Sequence, residues 1–266
     1  MLKKIKWCFD EEDANIIFLL KTLKKEHLDD TLHNGTFCFN CPTMFNASQG
    51  LLVGQQDRYD SYETTSAIQV TLWPIVSESG GKVCYGSPQC IAKTAKVRMI
   101  TETSRKTPMC CFRKVKEEDL IKLETSSILK LGNLVDRIMT EFGHDAYILV
   151  LRPRTLLERL RQNTFYFARS IHYGEKDCRY QEFLDKYPFD QVEMFQKDNT
   201  YAWQREFRII LPAGESSGKR FITLGSIEDI AIGGDVEQLR NGLLIANEAE
   251  VITDAVSLIT GDTERI

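Results

Sequence analysis

The chain has 266 residues, 42% hydrophobic and 10% aromatic, which is enough apolar material for one domain with a sizeable core. Its 34 basic and 38 acidic side chains give a net charge of −4, which excludes a protein-wide field that attracts nucleic acid or an anionic membrane. No apolar run approaches the roughly 20 residues of a membrane helix, and the charged start of the chain does not resemble an export signal. We therefore expect a cytoplasmic protein without a membrane partner.

The first half of the chain predicts one helix and then several strands. Residues 5–9 have the composition of a short strand, and the acidic residues 10–13 cap a predicted helix that runs through IIFLLKTLKK and ends before Asn34-Gly35. TFCFN predicts a strand that Pro42 stops, and the polar run 45–65 predicts a loop. The turn residues Gly80-Gly81 predict a hairpin, and AKVRMITET and MCCFR predict two more strands.

The second half mixes helices with strands. Apolar residues at three- and four-residue steps over residues 116–142 predict two amphipathic helices, broken near Gly132 and closed by Gly143. AYILVLRP predicts the most buried strand, and Pro153 begins a short helix. Further strands are predicted at FYFARSIHY, REFRIILP, FITLG and DIAIGG. Since strands outnumber helices and also occur in hairpins, we predict a single α+β domain over residues 1–266, with a mixed or mainly antiparallel sheet and flanking helices.

The eight cysteines predict reduced thiols and no metal site. Cys110 and Cys111 are adjacent, and no secretory leader precedes them, so disulfides are not expected. Cys38 and Cys41 have the spacing of half a zinc site, but a second close pair is absent. Cys38 is therefore expected to act as a small hydrophobic residue in a strand.

The most informative segment is KDNTYAWQREFRIIL, which ends in a predicted strand. In a strand with a period of two, Gln204, Glu206 and Arg208 share one face. One interpretation is a solvated face on an edge strand, because charged side chains are mostly exposed. The other is a lined pocket beside the carboxylate, since Tyr201 and Trp203 immediately precede it.

The order of short motifs resembles that of an uncharacterised bacterial family. In that family an early helix precedes a strand, then Pro and Phe-Asn, an acidic stretch, and much later a Lys followed by [EQ]-x-E-[FYW]-R-[IL]. The matching pieces here are Gly35 to Phe39, Pro42, Phe45-Asn46, Asp57 to Glu63, Lys197, and Gln204 to Arg208.

The Gln-x-Glu strand is also similar to the catalytic strand of ADP-ribosyltransferases, including the DarT-type toxins. That resemblance implies an ADP-ribosyltransferase-like fold and an enzyme that uses NAD to modify nucleic acid or protein, as a toxin or phage-defence effector with a neutralising or defence-system partner. It also implies that Glu206 is catalytic, with Gln204 assisting. Cleavage of the nicotinamide bond creates an oxocarbenium-like centre that a fixed carboxylate stabilises. The candidates for binding NAD are His33, Arg58, Tyr62 and Trp203.

Two alternatives remain open from the residues alone. The polar cluster of Asp57, Arg58, Asp60, Tyr62 and Glu63 could hold a divalent cation together with Glu206, as in a nuclease in which Lys197 neutralises the phosphate. The chain could also be a non-catalytic sensor or binding module.

Overall fold

The computed structural model describes residues 13, 15–44, 66–71, 76–79, 82–85, 94–99, 102–124, 126–174 and 192–246. The strands in these ranges are β1 (Ile16–Lys24), β2 (Thr36–Asn40), β3 (Ser66–Thr71), β4 (Val76–Ser79), β5 (Lys82–Tyr85), β6 (Thr94–Met99), β7 (Met109–Lys116), β8 (Leu120–Lys122), β9 (Ser126–Leu129), β10 (Ala146–Leu151), β11 (Phe167–Ser170), β12 (His172–Gly174), β13 (Gln196–Asp198), β14 (Glu206–Ile210), β15 (Lys219–Thr223), β16 (Ala231–Asp235) and β17 (Leu243–Ala246). The α-helices are α1 (Leu28–Asn34), α2 (Glu102–Arg105), α3 (Asn133–Phe142) and α4 (Pro153–Asn163).

An eight-stranded sheet organises the described part of the chain. Its main path is β11-β14-β7-β1-β10-β16, and β15 joins through β2, which pairs with β7. Every pair in this sheet is antiparallel, whereas β12 and β13 form a separate parallel pair. The predicted α+β class with a mainly antiparallel sheet is therefore confirmed.

The middle of the sheet is buried on both faces, whereas β15 is largely exposed. One face packs under α4, whose Leu156, Leu157 and Leu160 join the larger apolar core. The other face packs under α3, whose Val135 and Ile138 join a second core. None of the helices in the described ranges is long and apolar enough to cross a membrane.

Several predicted elements are confirmed. β2 lies at TFCFN, α1 ends at Asn34 with Gly35 in the left-handed region (φ 61°), and α4 starts at Pro153. Strands β4 and β5 pair on either side of the predicted Gly80-Gly81 turn. β10 is buried along almost its whole length. The predictions for residues 5–9 and the loop 45–65 lie outside the described residues.

The predicted helix over IIFLLKTLKK is wrong, because this segment forms strand β1. β1 lies between β10 and β7 and pairs with both. A strand buried on both faces carries a continuous apolar run, and periodicity does not distinguish such a run from a buried helix. The acidic residues before this run are typical of the start of a helix, but pairing with the two neighbouring strands decides the conformation.

The predicted helix pair over residues 116–142 is half wrong. Its second half is α3, which ends at Gly143 as predicted. Its first half instead forms β8 and β9, because β9 pairs with β8 on one side and with the distant β17 on the other. A local window cannot detect a partner strand more than 100 residues further along the chain.

Candidate functional site

The main sheet splits beside β7, and the split opens a cleft. One edge of β7 pairs with β1 over residues 113–116 and with β2 only at Met109. Between these two pairings the carbonyl oxygen of Cys111 accepts a hydrogen bond from Lys21 Nζ at 3.0 Å. The resulting cleft has a volume of about 240 Å³. Its lining includes Lys21, Cys38, Asn40, Cys111, Arg113, Ile138, Glu141, Lys197, Trp203, Gln204 and Glu206.

Glu206 lies in the cleft wall as a buried member of an ion-pair network. The residue is 5% exposed, its Oε1 accepts a hydrogen bond from Arg208 Nε at 2.8 Å, and the same oxygen forms an ion pair with Arg208 Nη2 at 2.6 Å. Its Oε2 lies 3.3 Å from Nζ of the buried Lys197. Arg208 is completely buried and donates from Nη1 to the carbonyl oxygen of Met194 at 2.5 Å. The interpretation of a solvated strand face is therefore wrong.

The two cations keep the Glu206 carboxylate ionised. Burial alone would raise the pKa of Glu206, but the charges of Arg208 and Lys197, together with a hydrogen bond from the Cys111 thiol, outweigh it and hold this pKa below its ordinary range. The backbone N–H of Glu206 donates to Tyr173 Oη at 2.7 Å, which fixes the start of β14. The wall of the cleft thus holds an ionised carboxylate that is fixed between two buried cations.

Gln204 lines the cleft from a different element than predicted. It ends the short 3-10 helix Asn199–Gln204, and β14 begins only at Glu206, so the prediction that Gln204 shares its strand face is wrong. The chain turns at Arg205, which has a positive φ of 46°. The Arg205 guanidinium pairs with Asp119 and Glu118, which anchors this unusual backbone conformation.

Trp203 lies at the rim among three arginines. The guanidinium carbon of Arg137 is 4.2 Å from the centre of the indole ring, and Arg113 donates to the Trp203 carbonyl oxygen. Burial, and then the nearby charge of Arg205, lower the pKa of Arg113 to about 10. Arg113 remains charged at neutral pH, so this rim is cationic.

The remaining predicted NAD-binding residues do not meet at the cleft in the described structure. His33 is exposed at the end of α1, where Nδ1 donates to the Asp29 carbonyl oxygen at 3.0 Å and Nε2 lies 3.7 Å from Glu228. It is not among the residues that line the cleft. Arg58, Tyr62 and the acidic cluster Asp57, Asp60 and Glu63 lie outside the described residues.

Lys21 is one of several cleft residues that the sequence analysis does not identify. Burial lowers the pKa of Lys21, but the nearby thiols of Cys110 and Cys111 more than compensate, and the net direction is upward. Its ammonium group also lies 5.2 Å from the ring centre of Phe112. The sequence signal for Lys21 is that it is a single lysine inside the apolar run of β1. Burial of a lysine in a strand costs free energy unless a polar group is paired with it.

Metal ligands are not grouped in the described part of the chain, where no three His, Cys, Asp or Glu side chains meet. The described cysteines Cys38, Cys41, Cys110 and Cys111 are free thiols. Of the acidic side chains that line the cleft, Glu206 is already bound by two cations, which compete with any metal ion for its oxygens.

Comparison with known proteins identifies no relative: no family model, no curated protein and no solved structure matches this chain.

Proposed function

We propose that this protein is an ADP-ribosyltransferase-like enzyme that consumes NAD to modify nucleic acid or protein, and that it acts as a toxin or phage-defence effector. The observation that carries the proposal is an ionised carboxylate, Glu206, fixed by two buried cations at the wall of a cleft. A positive charge that develops on the ribose during loss of nicotinamide would be stabilised by such a preorganised carboxylate.

Each group has a defined role in this proposal. Glu206 Oε2 accepts a long hydrogen bond of 3.3 Å from Lys197, and in this proposal a ribose hydroxyl group donates to the same carboxylate, whose oxygens each accept more than one hydrogen bond. Gln204 orients the acceptor, and Trp203 packs against nicotinamide. The bond from ribose C1 to nicotinamide breaks, a bond from C1 to the acceptor forms, nicotinamide leaves with the electron pair, and the acceptor proton passes to solvent.

The cleft volume limits how much of NAD it holds. Pockets for whole drug-sized ligands measure roughly 300–1,000 Å³, and this cleft measures about 240 Å³. We therefore assign it the nicotinamide-ribose end of NAD, with the remainder of the dinucleotide outside it.

The test follows nicotinamide release and the transfer of labelled ADP-ribose to the DNA, RNA and protein fractions of a bacterial lysate. We expect the wild-type protein to release nicotinamide and to label at least one fraction. Glu206→Gln and Gln204→Ala should each reduce the rate of nicotinamide release, because a preorganised polar group that stabilises charge in the transition state contributes about 10²- to 10³-fold to the rate. Glu215→Gln removes an exposed carboxylate and serves as the matched control.

A non-catalytic binding module is the second candidate, and the ion pairs themselves favour it. Two cations already satisfy Glu206, as expected of a carboxylate whose role is structural. Under this alternative the wild-type protein releases no nicotinamide, and the Gln204→Ala variant has the same effect on cells that express it as the wild-type protein has. The nuclease alternative has no supporting observation in the described residues.

A further inference from the structure

A short 3-10 helix, Asn199–Gln204, carries Trp203 to the rim of the cleft. The end of this helix is tied to β7 through the main chain. Arg113 donates to the carbonyl oxygen of Trp203, and the backbone N–H of Lys114 donates to the carbonyl oxygen of Arg205 at 2.9 Å. These bonds fix the backbone of Trp203, whereas the direction of its side chain is set by further torsion angles. The orientation of the indole ring therefore depends on what the ring itself contacts.

Arg137 of α3 is stacked on this ring. Its guanidinium carbon lies 4.2 Å from the ring centre, well within the roughly 6 Å over which a cation and an aromatic face attract each other. A guanidinium group is planar and stacks on an aromatic face, which a compact ammonium group does not do. Arg137 thus covers one face of the indole ring and leaves the other face for a second flat group.

Ion pairing does not explain the position of Arg137. The residue is exposed, and in the part of the chain that the structure describes it forms no ion pair with a carboxylate. Its neighbour Asp136 pairs with Arg240 at 2.7 Å. Arg137 also lies near another cation: burial is the largest cause that lowers the pKa of Arg113, and the charges of Arg205 and Arg137 lower it further. Attraction to the indole ring is therefore the interaction that favours this position of Arg137.

We propose that Arg137 is a positioning residue, which holds the Trp203 ring in the orientation in which its uncovered face stacks on nicotinamide. The proposal rests on the proposed function, in which Trp203 packs against that part of NAD. A ring that samples several orientations binds only in the fraction of molecules that have the competent one, so the apparent affinity falls by that fraction. Arg137 is not among the residues that line the cleft. It should therefore affect the binding of NAD and not the chemical step.

The first experiment measures the rate of nicotinamide release at increasing NAD concentrations, with a bacterial lysate as the source of acceptors. A cation–π contact at an exposed site contributes roughly 2- to 5-fold to an equilibrium constant. Arg137→Gln should therefore raise KM for NAD about 2- to 5-fold and leave kcat unchanged. Arg137→Lys keeps the charge and should raise KM less. Arg154→Gln removes an exposed arginine of α4, on the opposite face of the sheet, and should change neither constant.

A double-mutant cycle separates the orientation of the ring from the charge at the rim. In a Trp203→Leu background there is no ring to orient, so Arg137→Gln should leave KM unchanged there. A KM that rises by the same factor with and without the indole ring means that Arg137 acts through its charge alone, and this result would overturn the proposal.

Acrylamide quenching of tryptophan fluorescence tests the contact without NAD. Replacing the two other tryptophans, Trp7 and Trp73, by phenylalanine leaves Trp203 as the only tryptophan. In this background Arg137→Gln should increase quenching, because it uncovers one face of the ring, and unchanged quenching would overturn the proposal. Increased quenching with nicotinamide release but an unchanged KM refutes the positioning role alone. Increased quenching in a protein that releases no nicotinamide supports the contact of Arg137 with the ring and refutes the transferase.

Discussion

Replacing Glu206 by glutamine should cost the fold about 3 kcal/mol of unfolding free energy. The substitution keeps the side-chain shape but leaves Arg208 and Lys197, both buried, without their shared counter-charge. Removal of one partner from a buried ion pair typically costs about 3–5 kcal/mol. We expect the lower end of that range, because the glutamine amide oxygen still accepts one hydrogen bond.

Urea denaturation followed by tryptophan fluorescence at pH 7 measures this loss, and Glu215→Gln provides the control. A second arm replaces Lys197 by methionine in the Glu206→Gln background, which should recover part of the loss because this substitution removes a buried cation that has lost its carboxylate partner. A loss below about 1 kcal/mol for Glu206→Gln is typical of surface ion pairs and would refute the description of a buried, paired carboxylate.

Three further predictions test the fold and the site. The pKa of Glu206 is lower in the folded chain than its ordinary value, so the ionised carboxylate stabilises the fold fully above about pH 4.3, and this stabilisation is lost as the pH falls through the folded pKa. The difference in unfolding free energy between wild type and Glu206→Gln should therefore be constant from about pH 5 to 7 and shrink below about pH 4. A difference that grows on acidification would contradict the ion pairs. Gly35→Ala should lower the unfolding free energy by about 2 kcal/mol or more, because Gly35 has a φ of 61° and a Cβ there would lie 2.2 Å from the Gly225 carbonyl oxygen. Urea denaturation measures this loss, and an unchanged midpoint would contradict the backbone conformation of Gly35. Leu149→Ala should cost about 2–5 kcal/mol in the same assay, since Leu149 is completely buried in β10, which pairs with β1 on one side and with β16 on the other. A cost below about 1 kcal/mol would contradict that position.

Local signals predicted the elements whose conformation depends on their own residues. Pro153 at the first turn of α4 and Gly35 after α1 work through backbone geometry alone, so a short window reveals them. The apolar run of β10 was assigned correctly because its length and flanking residues fit a strand. The equally apolar β1 has a local pattern that also fits a helix. Its strand conformation is determined by its two partner strands, which are more than 85 residues away in the sequence.

The site was predictable in part for the same reason. Glu206 stood out because polar side chains interrupted an apolar strand, and the structure does bury it beside a cleft. The order of the motifs indicates that Glu206 and Lys197 belong to the same site. The period of two in a strand places Glu206 and Arg208 on the same face, which predicts that they lie close together. Lys21 and Cys111 enter the cleft only because the sheet splits there, and no local pattern encodes a split.

The most direct measurement of the central claim is release of nicotinamide from NAD by wild-type protein and by Gln204→Ala, a variant that leaves the ion pairs of Glu206 intact. We expect release by the wild type and a reduction of about 10²- to 10³-fold in the variant, with both proteins unfolding at the same temperature. Absence of release by a folded wild-type protein, in the presence of a bacterial lysate as the source of acceptors, would contradict the transferase.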